Sequence, residues 1–318
     1  MGDVAVALAN WNGLEFVPRC LQALVAQSHP PSQIVVVDNG STDGSREWIR
    51  SNHPQVELIE NEENEGFAAG YNRAIASCRS RFILILNTDV FLGRDFIAET
   101  LSTLERSSDI GATTGLIYQE ATRQELNGGF FMRRLLRIRP SSNVREDEEV
   151  FGCTGAALLC RGEMLDSVRL EGEVFDESFF AYCEDIDLAW RAQLNGWKAC
   201  FNPLARAHHV GSGSLGGRLR FISKPALFQR NVIKNRYLTL LKNASASTMV
   251  SLLPALALAD LALWLYLIVR SPSRIPTLVR AYGDVFRLLP QTLRKRRVIQ
   301  SRRAVEERDI RRFFNGWV

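Results

Sequence analysis

The sequence QIVVVDNGSTDG, residues 33–44, joins a β-branched apolar run to a polar turn, and this combination decides the predicted fold. Apolar residues at every position are typical of a strand that is buried on both faces of a sheet. Similar runs occur four more times in the first 120 residues: VAVALA (4–9), VELIE (56–60), RFILILN (81–87) and IGATTGLIY (110–118). Amphipathic segments of helical length separate them, at 14–26, 43–51, 67–78 and 94–105. The alternation predicts a doubly wound, mostly parallel α/β sheet with helices on both faces.

The second half of the chain has a less regular pattern. Its predicted segments are a hairpin at 129–139, a loop at 140–149, a strand at 153–160, a helix at 184–195, a strand at 197–201 and a helix at 223–242. The 318 residues are 46% hydrophobic and 23% charged, which excludes global disorder and a polytopic membrane protein. This length exceeds what one small core needs, so we expect a main domain with an appendage.

The six cysteines are scattered without the CxxC or CxxH spacing of a structural zinc site. The sequence also opens without the apolar region of a secretory signal. We therefore expect a reducing, cytosolic compartment and no structural zinc.

Charge is distributed unevenly along the chain. From Arg270 onward there are thirteen Lys or Arg residues against four Asp or Glu, a net charge of +9, whereas the residues before Arg270 carry −5. An apolar stretch at 249–269 precedes this basic tail. The combination favours an anionic lipid surface, rather than nucleic acid, as the partner of the tail.

The stretch 249–269 has the length of a membrane span, but Pro254 and Asp260 interrupt it. Its eleven Leu, Ile and Val residues contribute roughly −3 to −7 kcal/mol to insertion, whereas Asp260 near the centre costs about 2.5 to 3.5 kcal/mol. Positive charge flanks both ends, so neither side is preferred for translocation. A spanning helix therefore competes with a re-entrant hairpin bent at Pro254 and with a pair of interfacial helices, and we favour the last two.

Polar residues follow four of the predicted strands at the point where each strand ends. They are NWNG at 10–13, DNGSTDG at 38–44, NEENEGFAAG at 61–70 and NTD at 87–89. Ligands of open parallel sheets bind beyond the carboxyl ends of the strands, so we expect these groups at one rim. A segment such as DNGSTDG is by itself also typical of a tight turn before a helix, but the ordered repetition favours a binding site.

Asp89 and two histidines are candidate metal ligands. Asp89 follows a buried strand, where its carboxylate is placed to hold a hard divalent cation, although it also suits the N-cap of the helix at 94–105. His208 and His209 follow a predicted strand and precede the glycine-serine sequence 211–214. Imidazole is a common metal ligand, but a pair of histidines is more often structural.

Glu184, Asp185 and Asp187 fall in the first turn of a predicted helix. The helix dipole stabilises acidic residues there without any catalytic role. The preceding sequence FFAY is too apolar for an ordinary surface turn, however, and a carboxylate held against an aromatic wall is suited to deprotonate a hydroxyl. Asp185 is therefore a candidate general base.

In this order, the motifs resemble those of the family 2 glycosyltransferases, specifically the bacterial rhamnosyltransferase-like branch. The resemblance spans about residues 4–242 and rests on NWNG, VVVDNGSTDGS, NEGFAAGYN, ILILNTDV, GCTGAALL, FDESFFAYCEDIDLAWRAQLNGWK and HHVGSGS. It implies a GT-A fold, an inverting single displacement, a nucleotide-sugar donor and Mg²⁺ or Mn²⁺. We accordingly divide the chain into a catalytic domain at 1–222, with a nucleotide-sugar-binding half at 1–120 and an acceptor half at 121–222, and C-terminal helices at 223–318.

The resemblance also implies roles for individual residues. Asp185 matches the general base in the catalytic pair Glu184–Asp185, and Asp89 with His209 matches the metal or diphosphate site, while His208 is a weaker candidate. Asn87 stands where the first Asp of the family's Asp-x-Asp motif lies. The residues assigned to the donor are Asn10, Asn12, Asp38, Asn39, Asn64, Gly66, Asn72, Asn87 and Thr88, with Asp38 on the uracil or thymine.

These assignments predict transfer of a sugar to a hydroxyl of a glycan or lipid-linked glycan at the cytoplasmic face of a membrane. dTDP-rhamnose is the first candidate donor, and UDP-hexoses follow. Two alternatives stay open: a transferase that uses polyprenyl phosphate as acceptor, and a non-catalytic nucleotide-sugar-binding scaffold, which Asn87 in place of Asp keeps in consideration.

Overall fold

The computed structural model describes residues 2–120, 122, 124–133, 137–210 and 224–314. Its strands are β1 (Val4–Asn10), β2 (Gln33–Asn39), β3 (Glu57–Asn61), β4 (Phe82–Asn87), β5 (Val90–Leu92), β6 (Ile110–Gln119), β7 (Gln124–Asn127), β8 (Gly129–Met132), β9 (Ile138–Pro140), β10 (Glu148–Val150), β11 (Gly152–Cys153), β12 (Ala157–Arg161) and β13 (Lys198–His209). Its α-helices are α1 (Val17–Val25), α2 (Ser45–Asn52), α3 (Gly66–Ser77), α4 (Phe96–Glu105), α5 (Gly162–Val168), α6 (Glu184–Leu194), α7 (Ala226–Asn243), α8 (Ala246–Arg270), α9 (Ile275–Ser301) and α10 (Glu307–Arg311).

The first four strands form the parallel part of the central sheet, as their continuous apolar runs predict. β1 pairs in parallel with β2 on one side and β4 on the other, and β3 extends the sheet beyond β2. Apolar side chains of these strands are buried on both faces of the sheet. The register places Asn10 beside Asp38 and Ala9 beside Asn87, so the polar residues after these strands meet at one rim.

Antiparallel strands complete the sheet, whose order is β10-β13-β6-β12-β4-β1-β2-β3. β12 lies between β4 and β6 and runs antiparallel to both, while β13 is parallel to β6. The predicted hairpin at 129–139 is present as β8 and β9, which form a second, small sheet with β11.

Three predicted segments of the second half differ from the structure. The strand expected at 153–160 is split into β11 and β12, which join different sheets, and the loop expected at 140–149 contains the start of β10. The strand expected at 197–201 extends to His209, because an irregularity between Asn202 and Arg206 lets β13 continue beside β6. The boundary predicted after residue 222 and the glycine-serine sequence 211–214 lie outside the described residues.

The apolar stretch 249–269 lies within one continuous helix, α8, with Pro254 inside it. A bend at Pro254 and a pair of short helices are therefore wrong for this segment. A proline removes one backbone donor from a helix, and a helix of this length tolerates that loss. Among the described helices, α8 meets the length and hydropathy of a membrane span, and most of its apolar window is exposed.

Candidate active site

A cleft of about 600 Å³ opens at the rim where the carboxyl ends of β1, β2 and β4 meet. The start of α3 and the segment 180–182 form further parts of its wall, and α7 closes the far side. The predicted site residues among those that line it are Asn10, Asn39, Asn64, Gly66, Asn87, Thr88 and Asp89. The ordered strand ends of the sequence thus converge on one cavity.

Asp38 lies beneath this cleft, fully buried and outside its lining. Its carboxylate accepts hydrogen bonds from Asn10 Nδ2 at 2.7 Å, from the backbone N–H of Ser41 at 2.8 Å and from Arg46 Nε at 2.6 Å. These bonds occupy both oxygens. Direct contact between Asp38 and a nucleotide base stays a prediction, and it requires Arg46 to move.

Asn12 acts within the turn rather than in the cleft lining. Its backbone has a left-handed conformation with φ 49°, and its Oδ1 accepts the backbone N–H of Thr42 at 2.8 Å. Its own N–H donates to Ser41 Oγ. Asn12 therefore joins the turns that follow β1 and β2, which is the structural alternative for such a polar segment.

Hydrogen bonds between side-chain amides stabilise the wall of the cleft that β2 and the start of α3 form. We call this wall the donor side, because the residues predicted to bind the sugar-nucleotide donor lie there. Asn39 donates through Nδ2 to the Gly66 carbonyl at 2.9 Å and accepts from Asn61 Nδ2 at 2.7 Å. Asn64 Oδ1 accepts the N–H of Gly66. The start of α3 is thereby held against the end of β2.

Gly66, on the donor side, lies in close contact with Phe180 on the opposite wall of the cleft. Its φ is +91°, and a Cβ built on it would lie 2.6 Å from Phe180 Cδ2 and 2.7 Å from the Phe180 carbonyl oxygen. Both the conformation and the close approach require glycine. The predicted importance of Gly66 thus has a steric origin.

Asn72 does not line the cleft, contrary to the assignment implied by the family resemblance. Its Nδ2 donates to the Phe175 carbonyl, and its Oδ1 accepts the N–H groups of Val174 and Phe175. Six residues of helix separate Asn72 from Gly66, a rise of about 9 Å, which carries it away from the rim. Asn72 instead fastens α3 to the segment around residue 175.

Asp89 and His209 come together at the rim: Asp89 Oδ2 lies 3.2 Å from His209 Nε2. The pairing of β5 with β13 brings them together across 120 residues of sequence. A carboxylate oxygen and an imidazole nitrogen suit Mg²⁺ or Mn²⁺. Among the described residues, no group of three or more His, Cys, Asp or Glu side chains is placed to hold a metal ion. The pair therefore fits a cation that takes its other ligands from a diphosphate and from water.

His208 points away from this pair. Successive residues of a strand face opposite sides, and His208 is exposed and packs edge-on against Tyr118, with 5.1 Å between the ring centroids.

Asn87 lies at the rim, where its Oδ1 accepts a hydrogen bond from the hydroxyl of Tyr71 at 3.0 Å. A carboxylate oxygen could accept the same hydrogen bond, so this contact does not distinguish Asn from Asp at position 87.

Glu184 and Asp185 begin α6, and burial raises the pKa of both carboxyl groups. Burial, together with the charge of Asp185, raises the pKa of Glu184 to about 8, and its Oε2 has no hydrogen-bond partner within the described part of the chain. Asp185 retains backbone N–H donors from Ile186 and Gly155. With a pKa of about 8, Glu184 is largely protonated at neutral pH, whereas the backbone N–H donors of Asp185 favour the ionised form of that carboxyl group.

Asp185 stands behind the cleft lining rather than in it. A Cβ built on Gly155 would be 3.7 Å from Asp185 Cβ and 3.6 Å from Cζ of Phe67, and Phe67 lines the cleft. Asp185 and the cleft-lining residue Phe67 therefore both lie close to Gly155. The structure thus brings the predicted metal ligand Asp89 together with the predicted donor-binding residues Asn39, Asn64 and Gly66, while Asp185 stays outside the lining.

The model of the family described as glycosyl transferase family 2 matches residues 5–169, more than half of the chain. The chain belongs to this family. The prediction of a family 2, rhamnosyltransferase-like glycosyltransferase is thereby confirmed.

Named relatives support this branch of the family. The enzyme is 27% identical over 232 residues to the N-acetylglucosaminyl-diphospho-decaprenol L-rhamnosyltransferase of Mycobacterium tuberculosis (strain CDC 1551 / Oshkosh), which covers 62% of this chain and 73% of that protein. It is 26% identical over 197 residues to the rhamnosyltransferase WbbL of Escherichia coli (strain K12), at 54% and 73% coverage.

Solved structures confirm the GT-A fold of this glycosyltransferase. S. aureus TarS 1-349 in complex with UDP matches with a TM-score of 0.61 and 15% identity, over 97% of this chain and 89% of that chain. The mannosyltransferase PcManGT from Pyrobaculum calidifontis, in complex with GDP-Man and Mn²⁺, matches with a TM-score of 0.55 and 17% identity, over 91% and 77%.

The wall of the glycosyltransferase cleft opposite the donor side contains strained backbone that the sequence does not reveal. Phe180, Tyr182 and Cys183 have φ values of 64°, 76° and 66°. Such conformations cost of order 1–3 kcal/mol each and persist only where neighbours enforce them. Asn235 of α7 enforces them here, because its Nδ2 donates to the carbonyls of Phe179, Ala181 and Tyr182 at 2.7–3.1 Å.

Buried ion pairs hold this wall from behind. Lys242 Nζ lies 2.5 Å from Asp176 and 3.0 Å from Asp187, and Lys295 Nζ lies 2.9 Å from both Asp176 and Glu173. Burial opposes ionisation of Asp176, but the two lysines outweigh it and lower its pKa. The network joins α6, α7 and α9, so the C-terminal helices complete the catalytic unit.

Asn231 of α7 is a further lining residue that the sequence analysis did not assign to the site. Its side chain is buried, and its Nδ2 has no hydrogen-bond partner among the described residues. Leaving a buried donor unpaired costs about 1–3 kcal/mol. The sequence feature that could have identified Asn231 is the polar run QRN at 229–231. Its location in the cleft, however, depends on how α7 packs.

Proposed function

We propose that this glycosyltransferase moves a sugar, with inversion, from a nucleotide-sugar donor to a hydroxyl of a glycan or lipid-linked glycan. The observation that carries the proposal is Asp89, which lines one cleft with Asn39, Asn64 and Gly66 and whose Oδ2 lies 3.2 Å from His209 Nε2. dTDP-rhamnose is the first candidate donor, because both relatives above carry rhamnosyltransferase in their names. UDP-hexoses follow, because the TarS match contains UDP.

Asp89 and His209 would hold Mg²⁺ or Mn²⁺, whose positive charge stabilises the diphosphate leaving group. In the GT-A structure of PcManGT, GDP-Man is accompanied by Mn²⁺. The amides of Asn39 and Asn64 keep the start of α3 rigid, so the donor meets a preformed wall.

Asp185 would act as the general base and Glu184 as its neutral neighbour. Asp185 accepts the proton of the acceptor hydroxyl while that oxygen attacks the anomeric carbon, and the nucleoside diphosphate leaves from the opposite face. Protonated Glu184 adds no second negative charge beside Asp185. The raised pKa of Asp185 makes it a stronger base than an exposed aspartate.

A thermal-shift panel tests the donor and the metal site together. A ligand that binds only the folded enzyme raises its melting temperature, so dTDP- and UDP-sugars are compared with and without Mn²⁺. We expect one nucleotide series to stabilise the enzyme more strongly with Mn²⁺, and His209→Ala to abolish that increment. His208→Ala is the matched control, since it removes an imidazole from the opposite face of β13. Equal effects of the two variants would overturn the metal assignment.

We further propose that α8 lies along the cytoplasmic face of an anionic bilayer, near a lipid-linked acceptor. Val250, Leu258 and Val269 are each about 70% exposed, and all six cysteines are free, as in a reducing compartment. Asp260 does not oppose this arrangement, because Arg236, Tyr237 and Tyr282 bind its carboxylate. These bonds tie the middle of α8 to α7 and α9, which favours an in-plane helix over a span.

Vesicle flotation tests this location. The intact enzyme is expected to float with phosphatidylglycerol vesicles, and less with phosphatidylcholine vesicles, because basic residues follow α8. Replacing exposed Leu258 and Leu261 with serine should abolish flotation without lowering the melting temperature. Leu204→Ser is the control, because Leu204 is an exposed leucine on β13, and it should leave flotation unchanged. Protease-protected insertion across the vesicle would contradict the in-plane helix.

A further inference from the structure

Asn231 lines the wall of the cleft that α7 forms, and its amide nitrogen is buried and has no hydrogen-bond partner among the described residues. It is only 4% exposed, so water does not readily replace the missing partner. A buried polar group of this kind calls for a ligand. We propose that Asn231 donates a hydrogen bond to an oxygen of the acceptor sugar, and that α7 thereby carries the acceptor subsite. This inference rests on the glycosyltransferase function proposed above.

The position of Asn231 separates it from the donor. The polar groups that suit a nucleotide and diphosphate, Asn39, Asn64 and Asp89, come from strand ends and the start of α3. Asn231 comes from the opposite wall and is uncharged. It therefore suits a hydroxyl or ring oxygen of a sugar better than a diphosphate.

The surroundings of Asn231 have the chemistry of a sugar subsite. Tyr182 and Phe228 line the same wall and pack edge-to-face, with 4.5 Å between the ring centroids. Ligand sites commonly combine such apolar walls with a few fixed polar groups. A pyranose matches this combination, because its C–H face packs on an aromatic ring while its hydroxyls reach the amide.

The subsite is rigid before any acceptor arrives. Asn235, one helical turn after Asn231, fixes Tyr182 in its strained conformation through the Tyr182 carbonyl at 2.7 Å. Lys234 donates to the Ser178 carbonyl at 2.6 Å. Consecutive turns of α7 thus position the aromatic wall and supply the donor atom, so less ordering is needed on binding.

Kinetics of Asn231→Ala in the full-length enzyme test the proposal, with dTDP-rhamnose, Mn²⁺ and N-acetylglucosamine diphosphate linked to farnesol as probe acceptor. We expect the KM for the probe to rise about three- to tenfold, the range of one neutral hydrogen bond. The KM for the donor should stay within twofold. Asn231→Asp keeps the shape but loses the donor, so it should raise the probe KM at least as much.

Thermal unfolding distinguishes a binding role from a structural one. Because the Nδ2 of Asn231 is unpartnered, Asn231→Ala should melt at the wild-type temperature or above. Arg230→Gln is the matched control on the same helix, since it breaks the ion pair with Asp284 and should lower the melting temperature without changing the probe KM. An Asn231→Ala variant that behaves like Arg230→Gln would overturn the subsite.

Probe binding separates this inference from the proposed function. The probe should raise the melting temperature of the Mn²⁺- and dTDP-loaded wild type and raise that of Asn231→Ala less. A wild type that binds the probe in this way but transfers no sugar from any donor would contradict the proposed function alone. Equal shifts in the two proteins, or none in the wild type, would overturn the acceptor subsite.

Discussion

The two sides of the cleft, which we propose bind the sugar-nucleotide donor and the acceptor, are built in different ways. The donor side comes from strand ends within residues 4–89, and its polar groups are held by short hydrogen bonds such as Asn39 to Gly66. The acceptor side combines the strained segment 180–183 with α7, and buried charges from distant helices hold it in place. The donor side is thus a property of local sequence, whereas the acceptor side depends on the completed fold.

Breaking the buried network should have the largest effect and should damage the acceptor side first. Lys242→Met leaves Asp176 and Asp187 without a shared buried partner, which costs about 3–5 kcal/mol of unfolding free energy in denaturant titrations. Lys198→Met is the control: it removes an exposed ion pair with Asp109 and should lower the free energy of unfolding by less than about 1 kcal/mol. Similar losses in both variants would mean that the buried ion pairs of Lys242 do not hold the acceptor side.

Asp185→Asn tests chemistry on the acceptor side without breaking its scaffold. Transfer should fall at least about 100-fold, equivalent to about 2.7 kcal/mol, because the general base is lost. Stability should stay the same or rise, since a desolvated charge is removed. The comparison is made by steady-state kinetics with Asp166→Asn, an exposed carboxylate, as control. Retention of most activity would favour an acceptor phosphate that needs no base.

Gly66→Ala probes a close contact between the two sides. An added Cβ meets Phe180, so we expect a loss of about 1–3 kcal/mol beyond the cost of the backbone conformation. Gly172→Ala isolates that conformational cost, because Gly172 has φ +90° and no atom near the added Cβ. Urea unfolding of the two variants gives the difference. Equal losses would mean that the contact at Gly66 is not tight.

The smallest expected effect is the pH dependence of the stability of the enzyme that arises from Glu184. Its pKa of about 8 in the folded enzyme exceeds the ordinary value of 4.5, so the folded state holds more protons between these values. Stability is therefore full below about pH 4.5 and falls as the pH rises toward 8. Between pH 6 and 8 we expect a loss of about 1 kcal/mol, allowing for partial solvent screening.

Glu184→Gln should remove that dependence on pH. It should also keep transfer at neutral pH within tenfold of wild type, because Glu184 is already protonated there. Chemical denaturation at several pH values and parallel kinetics measure both. A loss of activity as large as that of Asp185→Asn would assign the base role to the pair rather than to Asp185.

The donor side was predictable because its information is local. Continuous apolar runs identified β1 to β4, and the residues after them formed the rim as expected. Two details needed coordinates. Asp38 is enclosed by Arg46, and Asn72 has turned away along α3, because neither the packing of a turn nor the face of a helix follows from a motif.

The acceptor side was less predictable because its contacts are distant in sequence. Nothing near Lys242 or Lys295 indicates that either is buried, since lysines in helices are usually solvated. The insertion of β12 between β4 and β6 and the length of β13 likewise depend on tertiary pairing. The carboxylates Glu184 and Asp185 were found from sequence, whereas the helix that supports them was not.

Asp176 binds two lysines that follow it by 66 and 119 residues, and this spacing has a consequence for biosynthesis. During translation, the donor side emerges complete long before α9 leaves the ribosome. Until Lys295 has been synthesised, Asp176 behind the acceptor wall lacks one of its two lysine partners. Nascent chains should therefore bind nucleotide sugar without transferring it, so that catalysis starts only when the last long helix has docked.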